Sequence, residues 1–300
     1  MDTLDGLKTV IAVVETGSFT AASERLNSSK ALVSKYIGEV EETLGIRLFN
    51  RTTRKISLTE AGNRYYVQAQ QLLESYQAMV DDVVGEQVNP RGVLRISAPV
   101  SFGDRQLASI VPEFCQRYPD LQIELVLNNR AVDMIEEGID VRIKIGSVPD
   151  TTLIARHIYD IPLVVCASPE YLQKQGKPEI PADLSRHLCI VDRNFKLGRV
   201  WPLRDSQGKT HNIDIQSHVS ADSPVAIANM VKSGGGIGLI TQHVVADDLR
   251  SGELIALLPA YSTLTFGLYL MYPHRKHLST KVKCFVEFMQ EKFGHTTLNN

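Results

Sequence analysis

The stretch Ser18-Phe19-Thr20-Ala21-Ala22-Ser23-Glu24-Arg25-Leu26-Asn27-Ser28-Ser29-Lys30-Ala31-Leu32-Val33-Ser34-Lys35-Tyr36-Ile37-Gly38-Glu39-Val40-Glu41-Glu42-Thr43-Leu44-Gly45 reads as two helices joined by a tight polar turn. The first runs from Thr20 to Leu26, with Ser18 as its cap and small Ala21-Ala22 where another helix can pack closely. Asn27-Ser28-Ser29 makes the turn. The second helix starts near Lys30, carries Val33, Ile37, Val40 and Leu44 on one face, and stops at Gly45. Its opposite face, with Lys30, Ala31, Ser34, Lys35 and Gly38, is small and basic. A helix that enters a DNA major groove needs donors near its N-terminus and no bulk that would block approach. Ser29, Lys30, Ser34 and Lys35 are those donors, and Ala31 leaves the room.

Working outward, Leu4, Leu7, Val10, Ile11 and Val14 recur at helical spacing and predict a first amphipathic helix that Gly17 ends. Downstream, Ile46 to Leu58 is apolar and β-branched except for Asn50-Arg51-Thr52-Thr53-Arg54-Lys55. That pattern predicts a two-stranded wing whose tip presents Arg51, Arg54 and Lys55 to phosphates or the minor groove. From Arg25 to Arg64 there are eight basic and four acidic residues, whereas the whole 300-residue chain has a net charge of −2. The balance excludes nucleic-acid binding by general positive charge and favours a local basic patch.

Ser18-Phe19-Thr20-Ala21-Ala22, Leu26, Ser34, Ile37, Glu41, Leu44-Gly45, Leu48-Phe49, Arg51 and Leu58-Thr59-Glu60-Ala61-Gly62 together resemble the LysR-type transcriptional regulators. The resemblance covers the whole chain in length and order. It implies an α/β protein with an N-terminal winged helix-turn-helix, a long linker helix and a two-lobed effector domain related to periplasmic binding proteins. One departure stands out: family members often have Gln-Pro where this chain has Lys30-Ala31. Lysine only donates, whereas glutamine can pair with adenine in both directions, so the docking mode carries over and the base preference does not.

Asn63 to Val84 lacks proline and glycine, and Tyr65, Ala69, Leu72, Tyr76, Met79 and Val83 are spaced 4, 3, 4, 3 and 4 apart. This heptad seam predicts dimerisation through the linker, although a helix packed on its own domain would show similar spacing. The resemblance agrees with a dimer and adds the tetramer as a frequent family state. Ser57-x-x-Glu60 matches a capping box at the helix start, with Thr59 a second candidate cap.

After the breaker Val88-Asn89-Pro90-Arg91-Gly92 the pattern alternates between strand and helix. Strands are expected at Val93–Ser97, Gln122–Leu127, Val141–Ile145, Leu163–Ala167, Gly238–Thr241 and Thr265–Tyr272. Helices are expected at Phe102–Tyr118, Ala131–Glu137, Pro224–Ser233, Val245–Arg250 and Thr280–Lys292. Such repetition argues for a parallel sheet covered by helices. The domains expected are 1–61 (helix-turn-helix), 62–89 (linker) and 90–300 (effector domain). By resemblance the last elements return to the first lobe, giving lobe I as about 91–162 with 267–300 and lobe II as about 163–266.

In open parallel sheets ligands bind beyond the carboxyl ends of the strands. That position is occupied by Pro99, Val100, Ser101 and Phe102, by Asn128, and by Gly146 and Ser147, with Asp222 and Ser223 opening a helix across a cleft. Arg193 and Phe195 join them from connecting loops. Ser101 and Asn128 suit a small carboxylate or similar group, and an aromatic acid is within the same chemistry.

Enzymatic readings find little support. Gly234-Gly235-Gly236-Ile237-Gly238 lacks a Walker lysine and follows a helix, so it reads as a turn into a strand. Ser206-x-x-Lys209 has no partner motif, and neither a His-Glu-x-x-His nor a Gly-x-Ser-x-Gly sequence occurs. Cys115, Cys166, Cys189 and Cys284 form no Cys-x-x-Cys, so no metal site is expected, and no cofactor. No segment reads as a membrane span or signal peptide, which points to the cytoplasm. The chain is therefore expected to be a sequence-specific regulator that binds double-stranded DNA, oligomerises and answers a small-molecule effector. The competing reading is a solute-binding or small-molecule-processing domain with an incidental helical N-terminus.

Overall fold

A computed structural model of the chain describes residues 2–51, 56–84, 89–130, 133–148, 152–195, 198–273 and 278–294. Helices α1 (Thr3–Thr16), α2 (Phe19–Arg25) and α3 (Lys30–Leu44) pack around Val10, Val13, Ala22, Val33, Ile37 and Leu48. Side chains open all three: Asp2 accepts from the Leu4 N–H, Ser18 from Thr20 and Ala21, and Ser29 from Leu32. Gly17 and Gly45 end α1 and α3 in the left-handed region, as their positions predict. Asn27, at φ 48°, makes the tight turn between α2 and α3. Strands β1 (Phe49–Arg51) and β2 (Ile56–Leu58) pair antiparallel as the expected wing, with Phe49 opposite Leu58.

Two polar devices fix the wing to the helices. Glu41, only 5% exposed, accepts hydrogen bonds from the Leu48 and Phe49 N–H groups (2.8 and 3.2 Å) and from the Arg47 guanidinium (2.9 Å). Burial alone would raise its carboxyl, but those three donors outweigh it and hold Glu41 below the usual carboxylate range. At the other root, the Thr59 hydroxyl donates to the Arg47 carbonyl (2.8 Å) and accepts from the Gly62 N–H (2.9 Å). A Cβ at Gly62 would lie 2.0 Å from the Leu48 carbonyl oxygen, so only glycine fits there. Thr59 thus caps α4 (Glu60–Val84); Ser57 lies within β2, and the capping box expected from it does not form.

The remaining described residues build one nine-stranded sheet and a separate two-stranded ribbon. Its first half comprises β3 (Gly92–Ala98), α5 (Val100–Phe102), a π-helical turn at Gly103–Leu107, α6 (Ala108–Arg117), β4 (Leu121–Leu127) and β5 (Val141–Ile145). The chain then crosses on β6 (Leu153–Ala167) to α7 (Pro169–Gln175), β7 (Leu188–Asp192), the β8 (Val200–Arg204) and β9 (Thr210–Asp214) hairpin, and β10 (Gln216–Ala221). α8 (Pro224–Lys232), β11 (Ile237–Thr241), α9 (Gln242–Ser251) and β12 (Ile255–Ala256) follow, and β13 (Thr265–Pro273) with α10 (Thr280–Phe293) returns to the first half. The strand order is β10-β7-β11-β6-β13-β5-β3-β4, with β12 on β6.

The parallel expectation holds within each half: β3 pairs parallel with β4 and β5, and β7 with β10 and β11. It fails at the middle, where β6 and β13 run antiparallel to each other and to their neighbours. The strand expected at Leu163–Ala167 is the far end of one 15-residue strand that begins at Leu153. One core gathers Leu94, Phe102, Phe114, Ile161, Leu268 and Phe285, and another gathers Leu163, Leu184, Trp201, Leu239 and Leu258. These two cores part between Ile161 and Leu163, and the two crossing strands are the link. The helix expected at Ala131–Glu137 is, over its described residues, a turn in which Asp133 accepts from the Ile135 and Glu136 N–H groups. Gly138, at φ 65°, ends it after one turn.

Candidate functional site

On α3, the residues facing away from Val33, Ile37 and Val40 are Ser29, Lys30, Ala31, Ser34 and Lys35, all exposed. The Ser29 hydroxyl oxygen accepts from the Leu32 N–H at 3.2 Å, which leaves its own proton to donate outward. The Lys35 ammonium stands 3.7 Å from the Glu39 carboxylate in an exposed pair. A pair of that kind contributes roughly 0.3–0.5 kcal/mol, so a phosphate or base edge can displace it. At the wing, Arg51 ends β1, and its side chain lies outside the described residues together with Arg54 and Lys55.

Along α4 the six seam positions divide. Tyr65 packs against the core of α1–α3 and Ala69 is buried within the chain, whereas Leu72, Tyr76 and Met79 are 53%, 44% and 43% exposed. The seam that the chain leaves uncovered is therefore Leu72, Tyr76 and Met79, which corrects the expectation of six; the Val83 side chain lies outside the described residues.

Between the two halves of the large sheet lies a cleft of about 480 Å³. Pro99, Ser101, Asn128, Gly146, Ser147 and Phe195 line it, as strand ends and loops predict. Five other expected residues do not line it. Phe102 is fully buried, its ring 6.0 Å from that of His243 and 5.8 Å from that of Phe293, and it belongs to the core behind the cleft. Val100 stands exposed beside it, its N–H donating to Asn129 Oδ1. Arg193 and Asp222 pair with each other at 3.1 Å outside the cleft, and Ser223 caps α8 by accepting from the Ala226 N–H.

The cleft also holds residues that the sequence reading passed over: Arg142 and Lys144 on β5, Asp192 and Asn194, Thr241 and His243, and an apolar wall of Leu264 and Phe266. The Phe195 and Phe266 rings meet edge to face at 5.0 Å. Burial raises the Asp192 carboxyl despite the hydrogen bonds from Asn194. His243 is pushed down to about 4 by its burial and, secondarily, by the Arg105 charge, so the ring is neutral at cellular pH. The Asn128 Oδ1, the Thr241 hydroxyl and both His243 ring nitrogens are buried without a hydrogen-bond partner. A signal for Thr241 and His243 did exist: they follow the carboxyl end of β11, where the strand-end rule applies as it does to β3, β4 and β5.

A larger crevice, about 590 Å³, separates α1 and α4 from the lower edge of β3 and β4. Most of its charges pair among themselves, Arg25 with Glu15 and Arg95 with Glu124 at 2.6 Å and Lys281 with Asp140 at 3.0 Å. The Gly234–Gly238 run is a turn into β11, with Gly236 at φ 144° against the Leu188 carbonyl. Ser206 and Lys209 sit in the β8–β9 turn, outside the cleft. Among the described residues no helix is long and apolar enough to cross a membrane.

Two family models match the chain. Residues 4–63 match the bacterial regulatory helix-turn-helix of the lysR family, and residues 87–294 match the LysR substrate binding domain. The regulator CrgA of Neisseria meningitidis serogroup C is 33% identical over 290 residues, covering 96% of either chain. The transcriptional activator TtdR of Escherichia coli K12 is 34% identical over 294 residues, 96% of this chain and 94% of that one. Among solved structures, CrgA superposes with a TM-score of 0.62 at 32% identity over 97% of this chain and 99% of that one. The Vibrio cholerae virulence activator AphB gives 0.61 at 31% identity with the same coverage. Matches over both the helix-turn-helix and the two-lobed region set aside the reading of an incidental helical N-terminus.

Proposed function

The chain belongs to the LysR family of bacterial transcriptional regulators, which are DNA-binding proteins and not enzymes, and on that premise we propose how its own residues divide the work. Residues 1–61 form the reading head, 62–89 the linker and 90–300 the effector domain, whose lobes change over near 162 and 267. Two heads, paired through Leu72, Tyr76 and Met79 of α4, read successive major grooves of an imperfect inverted repeat in the cytoplasm. Ser29, Lys30, Ser34 and Lys35 supply the donors, Ala31 the clearance, and Arg51, Arg54 and Lys55 contact the backbone. A small carboxylate or aromatic acid in the cleft changes the placement of the two heads.

One observation carries the DNA reading: α3 buries Val33, Ile37 and Val40 in its own domain, with Leu44 at its end 42% exposed, and leaves its small, proton-donating face bare. Hydroxyl and ammonium donors gathered near the N-terminal end of that helix, with Ala31 among them, suit entry into a groove. Mobility-shift titration on the chain's own promoter region, at rising salt, tests it. Binding should saturate at one site and weaken roughly a thousandfold between about 50 and 200 mM salt for about six phosphate contacts. Lys35→Ala should weaken specific binding about tenfold more than non-specific binding. Equal losses would make Lys35 a phosphate contact, and no shift at any salt would overturn the reading.

A further inference from the structure

Among the described residues, five buried side-chain nitrogen or oxygen atoms have no hydrogen-bond partner, and four of them belong to Asn128, Thr241 and His243 in one cleft. Unpaired buried polar atoms are rare because each has given up water for nothing. All three residues line that cleft, Asn128 just after β4 and Thr241 with His243 at and just beyond the end of β11.

The chemistry of that group follows from what each atom can do. Asn128 Oδ1 accepts only. His243 is neutral, so one ring nitrogen donates and the other accepts. Thr241 does either. A carboxylate offers acceptors alone and would leave Asn128 Oδ1 and the bare imidazole nitrogen unmet. A hydroxyl has one proton and two lone pairs, so it can donate to Asn128 Oδ1 and accept from Thr241 and the imidazole N–H, leaving only the second ring nitrogen unmet. Arg142 and Lys144 meanwhile place two positive charges on the cleft lining, with Ser101 as a further donor, which suits an anionic end. Phe195 and Phe266 close the apolar side.

We propose that the ligand of this cleft is a hydroxycarboxylic acid, and that Asn128, Thr241 and His243 recognise its hydroxyl. The proposal rests on the cleft being the effector site. It divides the lining into an acid-binding side on lobe I and a hydroxyl-reading set that spans both lobes, so that a hydroxylated ligand ties the lobes together where its deoxy counterpart does not.

Matched pairs of acids test it on the full-length protein by titration calorimetry and thermal shift: malate against succinate, lactate against propionate, salicylate and 4-hydroxybenzoate against benzoate. In at least one pair the hydroxy acid should bind tenfold or more tightly than its deoxy partner. His243→Phe and Asn128→Leu should each bring that ratio towards one by weakening the hydroxy acid, and His243→Gln, which can still donate and accept, should restore part of it. Without ligand, His243→Phe should melt at the same temperature or higher, because it removes two unpaired polar atoms; a lower melting temperature would mean that those nitrogens serve the fold. Equal binding within every pair, or a ratio that survives both variants, overturns the proposal while leaving the cleft an acid site. If no acid of either kind binds, the effector reading of the cleft falls and this inference falls with it.

Discussion

Glu41 shows how much one buried carboxylate can organise. It sits on the last turn of α3, yet its hydrogen bonds go to the backbone of Leu48 and Phe49, where the wing begins. The reading face and the wing are therefore held in one geometry by a side chain that touches no DNA in the proposed mode. Glu41→Gln keeps an acceptor but loses the charge, and should cost about 2 kcal/mol. Hydrogen exchange on the full chain would read this as about 30-fold faster opening of the Leu48 and Phe49 amides. The pH dependence has a definite sign. The folded carboxyl lies below its ordinary value of 4.5, so its contribution is fully present above 4.5 and is lost as pH falls through the lower folded value. His243 acts over a different window: its folded value, about 4, lies below its ordinary 6.5. The unfolded chain takes up the proton first, so stability declines as pH falls from 6.5 towards 4, and His243→Phe should flatten that slope in thermal melts.

At the scale of elements, α4 divides along its length. Its first turns are occupied by Tyr65 and Ala69 packing inwards, and only beyond them do Leu72, Tyr76 and Met79 stand bare. Replacing Leu72 and Met79 together by glutamate should move the protein to monomer in sedimentation velocity and weaken operator binding roughly a hundredfold or more, given about 2 kcal/mol per buried side chain. Retention of the dimer would move the principal interface to the effector domains. The same helix shows what sequence could and could not reveal. Its length and 4-3 spacing were plain, but periodicity cannot distinguish cover by the chain itself from cover by a partner. α3 was readable to the residue because Ser29 and Gly45 punctuate an unambiguous apolar face. β9 and β10 were not, since Thr210–Asp214 and Gln216–Ala221 are polar and largely exposed, with no buried alternation to read. β6 was cut short because Asp160 and Pro162 interrupt the apolar run at the crossing between halves, where a strand leaves one core for the other. The cleft was legible on the first half, whose three strand ends were recognised. Thr241 and His243 are harder to read because β11 runs into α9 with no turn between them, so no loop composition marks the spot.

For the whole molecule, the question is how an event in the cleft reaches α3. Among the described residues, β6 and β13 are the only sheet strands shared by both halves, so any relative movement of the lobes would bend them near Ile161–Leu163 and Leu264–Gly267. On the first lobe the turn at Gly138 lies against Val67 of α4, and α4 in turn packs on α1. A continuous contact path thus runs from lobe I through the linker to the reading head. An effector can use it only to the extent that it prefers one lobe arrangement over another. Asn129 offers a direct measure of that preference, because its side chain accepts from the Val100 N–H on one lobe and donates to the Asp222 carbonyl on the other at 3.3 Å. Asn129→Ala removes this neutral, exposed bridge, which should cost the closed arrangement about 1 kcal/mol, or about fivefold. Effector affinity should therefore fall about fivefold in calorimetry, while effector-free operator binding in a mobility shift stays close to that of the unaltered protein. An equal loss of operator binding without any ligand would instead assign the Asn129 bridge to the resting fold, and lobe closure would have to draw its free energy from the cleft residues alone.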